Sequence, residues 1–417
     1  METTGRYLSL SLGGIPQNQR GFLTALLYGI AEHKLTLDYY IGILAKRSDL
    51  DLEVRNILRI GLYQLLYLDR IPAHAVVDTA VNLAKKKSEA GFINAVLRRA
   101  LREPECLQLP NREKNPLRYL SIAYSLPLPT LRLLVADLGE EGAEQYLKAC
   151  GEKAPLALRV NTLRTTREEL LSAFEKQGIH ACPTPYAQNG ILVKDEIPVA
   201  QLPGHKEGLF FVQDEAAQLA VELLSPKENS FLIDVCSAPG GKSFSAAAVM
   251  QGKGKIISLE LHESKLSLIR EGAERLGMDM ISAQAHDSRV AAEQWQGKAD
   301  YVICDVPCSG LGVLRKKPEI RYKKIEDIGA IPSLQKEILS AAARYLKVGG
   351  RLLYATCTVL KEENQKVVSD FLATHPNFTS VPFCVGEHRA EEGMMTLLPH
   401  IHGTDGFFVA ILEKTHS

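Results

Sequence analysis

Apolar residues recur at helical spacing through the first hundred positions. Phe22, Leu23, Leu26 and Leu27 form one such set, and Val54, Ile57, Leu58, Leu62, Leu65 and Leu66 a second. Ala75, Val76, Ala80 and Leu83 form a third, and Phe92, Ile93, Val96 and Leu97 a fourth. One-sided periodicity of this kind predicts a bundle of amphipathic helices over 20–103. Pro72 closes one helix and opens the next. Pro104, Pro110, Pro116, Pro127 and Pro129 then break the pattern and mark a boundary. Helical spacing returns over 131–150, followed by a strand-like run over 156–161. A helix capped by Thr165-Thr166 runs to Gln177 and stops at Gly178, and Ile191-Leu192-Val193 gives a second short strand. That reads as a small α+β module. From Ser230 onward strands (231–235, 255–260, 280–285, 300–304, 351–356, 407–412) alternate with helices (241–250, 263–276, 333–347, 362–374). Such alternation predicts a parallel sheet covered by helices on both faces.

A chain of 417 residues exceeds one ordinary core, so two or three domains are expected. The expected division is a helical domain over 1–128, a linker helix and small α+β module over 129–227, and an α/β domain over 228–417. Lys plus Arg and Asp plus Glu both number 49, and 46% of residues are apolar, a soluble globular composition. Neutrality weighs against a chain-wide phosphate-binding surface and leaves room for a local basic stripe. Lys85, Lys86, Lys87, Arg98, Arg99 and Arg102 offer one, with a solvated helix face as the alternative. No apolar run is long enough for a bilayer and the first residues do not resemble a signal peptide, so a cytoplasmic protein away from membranes is expected. The eight cysteines contain no Cys-x-x-Cys pair. Cys304 and Cys308 could share a zinc ion, but no second ligand pair completes a site, so no metal is expected. Scattered thiols fit a reducing compartment, and a monomer is expected.

Three apolar runs end in chemistry-bearing residues, where an open α/β sheet displays its reactive groups. The first continues into Cys236-Ser237-Ala238-Pro239-Gly240-Gly241-Lys242. Its glycines let backbone approach a ligand, and the following helix start favours negative charge. The turn is neither a G-x-G-x-x-G nor a Walker A loop. Glu260 ends the next strand, where a carboxylate grips a ribose diol. Asp287, after the third, meets an adenine edge or caps a helix. These acids together with Asp305 fit S-adenosylmethionine better than a dinucleotide, whose phosphates they would repel. The second run ends in Asp305-Val306-Pro307-Cys308-Ser309 and the third in Thr356-Cys357-Thr358. Cys236 and Cys304 read as structural thiols within their runs. Cys308 and Cys357 lie beyond their strands beside polar residues, which reads as chemical.

These motifs resemble the signatures of the RNA 5-methylcytosine methyltransferases. Phe210-Phe211-Val212-Gln213-Asp214 resembles the lead-in segment of that family, and Asp405-Gly406-Phe407-Phe408 its closing strand. Ser237, Val306 and Thr358 replace commoner Ala, Ala and Ser without removing a reactive group. The segments 61–67, 71–77 and 92–98 resemble the NusB-like RNA-binding helical domain, which narrows the resemblance to the 16S ribosomal RNA methyltransferase B subfamily. The family carries a further amphipathic helix before the residues that match from about Tyr7, so this domain is expected to be short at its start. The resemblance implies an all-α NusB-like domain, an RRM-like module and a Rossmann-like catalytic domain. It also implies S-adenosylmethionine as cofactor and 16S ribosomal RNA as substrate.

Cytosine C5 is a poor nucleophile until a thiolate adds at C6, so covalent catalysis is expected. The resemblance makes Cys357 that nucleophile and Cys308 the group assisting release, with Asp305 at N3 of the base and Lys242 near it. The residues alone do not rank the cysteines, since DNA cytosine methyltransferases attack with the cysteine of a Pro-Cys pair. Cofactor contacts are implied for Cys236, Ser237, Ala238, Pro239, Gly240, Gly241, Lys242, Glu260, Asp287 and Asp305. Between the cysteines, Arg315, Lys316, Lys317, Arg321, Tyr322 and Lys323 form a basic loop. It is either solvated or grips RNA, with Tyr322 stacking on a base. The same chemistry on transfer RNA, or a non-catalytic assembly factor, are the alternatives.

Overall fold

A computed structural model describes Leu8, residues 15–47 and residues 49–416. Tyr7, where the helical resemblance begins, lies outside them. The chain forms two compact units: Met1–Glu152 with Leu314–Ile325, and Lys153–Val313 with Glu326–Ser417.

The first unit is helical: α1 (Gln17–Glu32), α2 (Lys34–Ala45), α3 (Leu52–Tyr67), α4 (Ala73–Asn82), α5 (Lys87–Arg102), α6 (Pro116–Ala123) and α7 (Leu128–Cys150). Most of the periodic residues become its core, with Leu58, Leu62, Ile93 and Leu97 buried together with Leu37 and Ile41 of α2, whereas Phe22, Leu66 and Leu83 are exposed. A Cβ added at Gly61 would lie 2.8 Å from Leu97, so glycine permits the close crossing of α3 and α5. Buried Arg59 is held bidentately by Asp38, with both bonds at 2.7 Å. One feature escapes the periodicity: α7 is broken at Gly139 (φ 75°, ψ 170°). Its contacts group it with this unit.

The second unit holds two sheets. β1 (Leu156–Val160), α8 (Arg167–Glu175), β2 (Ala181–Pro183), β3 (Gly190–Val193) and β4 (Phe210–Val212) build an antiparallel sheet of order β2-β3-β1-β4. Thr166 and Glu169 cap α8 reciprocally, at 3.2 and 3.0 Å. Leu170 and Phe174 of α8 pack on Leu158, Ile191 and Phe210. β4 was expected only as a lead-in segment; it completes this sheet through Arg159↔Phe211 pairing.

The larger sheet follows α9 (Glu215–Leu224). Its parallel part comprises β5 (Ser230–Asp234), α10 (Gly241–Val249), β6 (Gly254–Glu260), α11 (Leu266–Leu276), β7 (Ile281–Ala285), β8 (Ala299–Asp305), α12 (Ile325–Ala343) and β9 (Leu346–Thr356). Then come α13 (Gln365–Thr374), β10 (Phe378–Ser380), β11 (Phe383–Val385), β12 (His388–Ala390), β13 (Met394–Leu397), α14 (Pro399–His402) and β14 (Phe407–Lys414). The order is β10-β14-β9-β8-β5-β6-β7, with β13 also on β14 and β11 pairing only β12. Period-two alternation divides each central strand between two cores. Leu232, Ile303 and Leu353 join α9, α10 and α11 on one face. Ile233, Val302 and Leu352 join α12 and α13 on the other. Each such fully buried aliphatic contributes about 1.5–3 kcal/mol.

Two expectations are corrected here. The sheet is mixed, because β14 runs antiparallel to β9 (Leu353↔Ile411); an apolar run reads the same in either direction. The helix expected from 333 begins at Ile325 and carries Pro332 inside it.

Candidate active site

Chain order reverses between β5 and β8, which is where an open α/β sheet leaves a crevice beyond its strand ends. β5, β8 and β9 are parallel neighbours, so the three motifs emerge at one edge.

After β5, the turn from Cys236 to Gly241 is tied down by Ser237, whose N–H and Oγ both reach the Leu259 carbonyl, at 2.9 and 3.0 Å. Gly240 has φ 111°, and a Cβ there would sit 2.4 Å from the Phe244 ring. Glycine is therefore required both conformationally and sterically. Beneath the turn Asp234 is fully buried and accepts from Ser243 Oγ at 2.7 Å; burial pushes its carboxyl up to about 7. Glu260 is buried at the end of β6, where its Oε1 accepts from His262 N–H at 3.1 Å and faces Lys265 Nζ at 3.5 Å. Asp287 caps no helix. It closes a turn with Arg289, accepting from its backbone N–H at 3.1 Å and pairing with its guanidinium at 2.6 Å. Those bonds hold its carboxyl down at about 2.

Lys242, in the first turn of α10, reaches across to Asp305 at the end of β8, with Nζ–Oδ2 at 2.5 Å. Its ammonium also lies 5.1 Å from the centre of the Phe407 ring. Burial alone would lower its pKa, but Asp305, then Asp234 and Cys357, outweigh burial and raise it. The lysine therefore stays charged.

Cys308 and Cys357 meet: their sulfurs are 3.0 Å apart, and neither is bridged in a disulfide. In the stretch from Tyr354 to Leu360, Cys357 is the one residue not buried. The Cys308 thiol is pushed well up, first by its hydrogen bond to Cys357, then by burial, then by Glu363 and Asp305. Cys304 is fully buried, and burial first, then Cys236 and the nearby acids, pushes its thiol up. Cys236 is half-buried, and burial with nearby acids also raises its thiol.

The basic loop, Leu314–Ile325, folds with the helical unit. Arg321 is buried and donates to the Leu314 carbonyl at 3.0 Å. Tyr322 donates its hydroxyl to Ala31 O at 2.7 Å, with Lys34 Nζ 4.6 Å above its ring. These two do not stand out into solvent as the composition of the loop suggested, because both are consumed in packing. Arg315, Lys316 and Lys323 are half-buried, and Lys317 is exposed. Sequence reasoning also passed over Glu363 and Gln335, which are buried next to the cysteine loops. A charged Lys361-Glu362-Glu363 run reads as surface, and the only hint was its closeness to Cys357.

Residues 221–413 match the family model for the 16S rRNA methyltransferase RsmB/F. Residues 1–102 match the NusB family, and residues 130–200 the ferredoxin-like domain of RsmF/B-like methyltransferases. The chain is 35% identical to the probable ribosomal RNA small subunit methyltransferase B of Bacillus subtilis, covering 96% of this chain and 92% of that one. It is likewise 35% identical to the ribosomal RNA small subunit methyltransferase B of Pseudomonas putida, covering 98% and 93%. Among solved structures, that of PH0851 superposes with a TM-score of 0.81 at 28% identity, over 96% of this chain and 92% of that one. NSun6 from Pyrococcus horikoshii, solved with SFG, shares the fold with a TM-score of 0.62 at 22% identity, over 70% and 99%. Helical domain, ferredoxin-like module and mixed-sheet domain thus match in chain order, and the chain belongs to the 16S rRNA methyltransferase RsmB/F family.

Proposed function

We propose that this chain methylates C5 of a cytosine in 16S ribosomal RNA, using S-adenosylmethionine and a covalent cysteine adduct. The observation carrying this reading is the pair of thiols 3.0 Å apart beside the Lys242–Asp305 ion pair, at the sheet's switch point. The names of the small-subunit relatives favour ribosomal over transfer RNA as substrate.

The residues fit the methyl donor. The Gly240-Gly241 turn admits close backbone approach, and buried Glu260 keeps an acceptor oxygen for a ribose diol. The donor supplies an electrophilic methyl group. Cys357 is assigned the attack on C6, as the family resemblance implies, with the Cys308 thiol 3.0 Å away as hydrogen-bonding partner to its sulfur. That bond stabilises the Cys357 thiolate before attack and again on departure. As the S–C6 bond forms, ring electrons move toward N3 and C5. Asp305, fixed by Lys242, is assigned to hold or protonate N3, and the local positive charge offsets the electron density gained by the ring. After methyl transfer the C5 proton leaves to a base, the C6–S bond breaks, and the electron pair returns to sulfur as the ring double bond reforms. The target base must be unstacked to reach these sulfurs.

Tritium transfer from the labelled donor to unmethylated 16S ribosomal RNA tests the reading, with bisulfite sequencing of the product. Label at a cytosine that becomes bisulfite-resistant is expected. Label absent, or on another base, contradicts the proposal.

A further inference from the structure

The two cysteine loops share a buried anchor that the chemistry above leaves unused. Glu363 lies just before α13 and is 1% exposed. Its Oε2 accepts from the Ser309 N–H at 2.7 Å and from Gln335 Nε2 at 3.2 Å. Its Oε1 accepts from the Thr358 hydroxyl at 3.3 Å. Gln335 Nε2 also donates to the Pro307 carbonyl at 3.0 Å, and Ser309 Oγ lies 2.7 Å from Thr358 Oγ1. Next along the chain, Asn364 accepts from Thr356 Oγ1 at 2.5 Å and donates to Thr358 O at 3.0 Å. The Tyr354 hydroxyl fixes the Glu363 carbonyl at 2.7 Å. The residues on either side of Cys308 (Pro307 and Ser309), and on either side of Cys357 (Thr356 and Thr358), are therefore joined in one network.

A buried carboxylate is expensive to desolvate, and an apolar side chain would serve plain packing as well or better. Ser309, Gln335, Thr358 and Asn364 have no exposed surface, so none can touch a substrate. The network can act only through the thiols. Its two halves are not equally dependent on it. Cys357 directly follows β9, whose last residue Thr356 pairs with Phe408 of β14, and its own carbonyl accepts from Gly312 N–H at 2.9 Å. Cys308 lies beyond the last ladder bond of its strand, Val306 N–H to Ala355 O at 3.2 Å. Past that point Gln335, Glu363 and Thr358 hold the residues flanking it.

We propose that Glu363 is a positioning residue, whose carboxylate sets Cys308 against Cys357 and thereby governs release of the methylated RNA. The inference rests on the covalent chemistry proposed above. Without Glu363, the sheet still presents Cys357 for attack, while the Cys308 loop loses its anchor.

The test is Glu363→Gln, assayed on unmethylated 16S ribosomal RNA. The amide keeps the volume but replaces one acceptor oxygen with a donor facing donors. A displacement of about 1 Å at a reacting group lowers rate by about 10²-fold, so a fall in kcat of at least about tenfold is expected, with KM for RNA held within about twofold. Covalent RNA adduct at steady state should exceed that of the wild type. Gln335→Met, near in volume, removes the Pro307 anchor while leaving Glu363 in place. It should show the same pattern more weakly, and it decides the matter if Glu363→Gln does not fold by circular dichroism. Wild-type kcat in the folded variants, or a fall in kcat without extra adduct, overturns the assignment. Cys308→Ala is the control that separates this inference from the reading beneath it. If Cys308→Ala traps no adduct, the covalent chemistry itself fails. If it traps adduct and the two folded network variants do not, only the role of Glu363 fails.

Discussion

The two halves of the crevice are built differently. Around Cys308 and Cys357 the polar neighbours Thr356, Thr358, Ser309 and Gln335 are fully enclosed and bonded into one network, although Pro307 is exposed. At the ends of β6 and β7, Glu260 and Asp287 are partnered by Lys265 and Arg289, whose side chains are 50% and 52% exposed. Exposed ion pairs of that kind are worth little, so an incoming ligand displaces them readily. The sulfur side is preorganised, as the proposed covalent step requires. The side proposed for the methyl donor is left open to exchange its partners, as a site that takes up and releases a cosubstrate each turnover requires.

The largest effect expected is at the sulfurs. Cys357→Ala should abolish methyl transfer while leaving donor binding intact, measured by tritium incorporation beside calorimetric titration with S-adenosylmethionine. Asp305→Asn comes next. It breaks the ion pair with Lys242 and weakens the hold on N3, so kcat should fall by about 10²–10⁴-fold, the range for a group that handles a proton or its charge. A loss confined to KM would show that Asp305 only binds. On the donor side the effects should be smaller and should appear in affinity. Glu260→Gln removes a charge-assisted bond worth about 1.5–3 kcal/mol, which weakens donor binding by roughly 10- to 150-fold. Asp287→Asn should weaken it only a few-fold, because the Arg289 pairing already occupies that carboxylate. If Asp287→Asn exceeds Glu260→Gln, the contrast between a buried and a half-exposed acid is wrong.

The smallest effect concerns pH. Burial raises the Asp234 carboxyl to about 7 from its ordinary value of 3.8. An acid raised on folding binds its proton more tightly in the native state. Stability from this group is therefore full below about pH 3.8 and is lost as pH climbs through about 7. Asp234→Asn removes that dependence. The melting temperature of the variant relative to wild type should rise between pH 5 and pH 8, and a constant difference would contradict the ionisation assigned to Asp234.

Much of this arrangement is legible in the residues because strand runs are short, apolar and end abruptly. Ile303-Cys304-Asp305 and Tyr354-Ala355-Thr356 are strands of a sheet buried on both faces, and polar chemistry begins where they stop. The glycine turn is legible too, since Gly240 answers a local steric demand. What escapes is set by distant neighbours. The direction of β14, the break at Gly139 and the helix running through Pro332 depend on what the segment packs against. Arg321 and Tyr322 carry the composition of an RNA-gripping loop yet fold into the helical unit. Glu363 carries the composition of a surface residue yet is enclosed. Charge in a sequence reports what a side chain is, while burial depends on a fold assembled from residues dozens of positions away.

The most direct measurement follows the two sulfurs separately on a denaturing gel with substrate RNA and S-adenosylmethionine. The account predicts that Cys308→Ala retains a slow-migrating protein–RNA adduct and that Cys357→Ala shows none. Adduct persisting in Cys357→Ala would contradict it, and would make Cys308 the attacking sulfur.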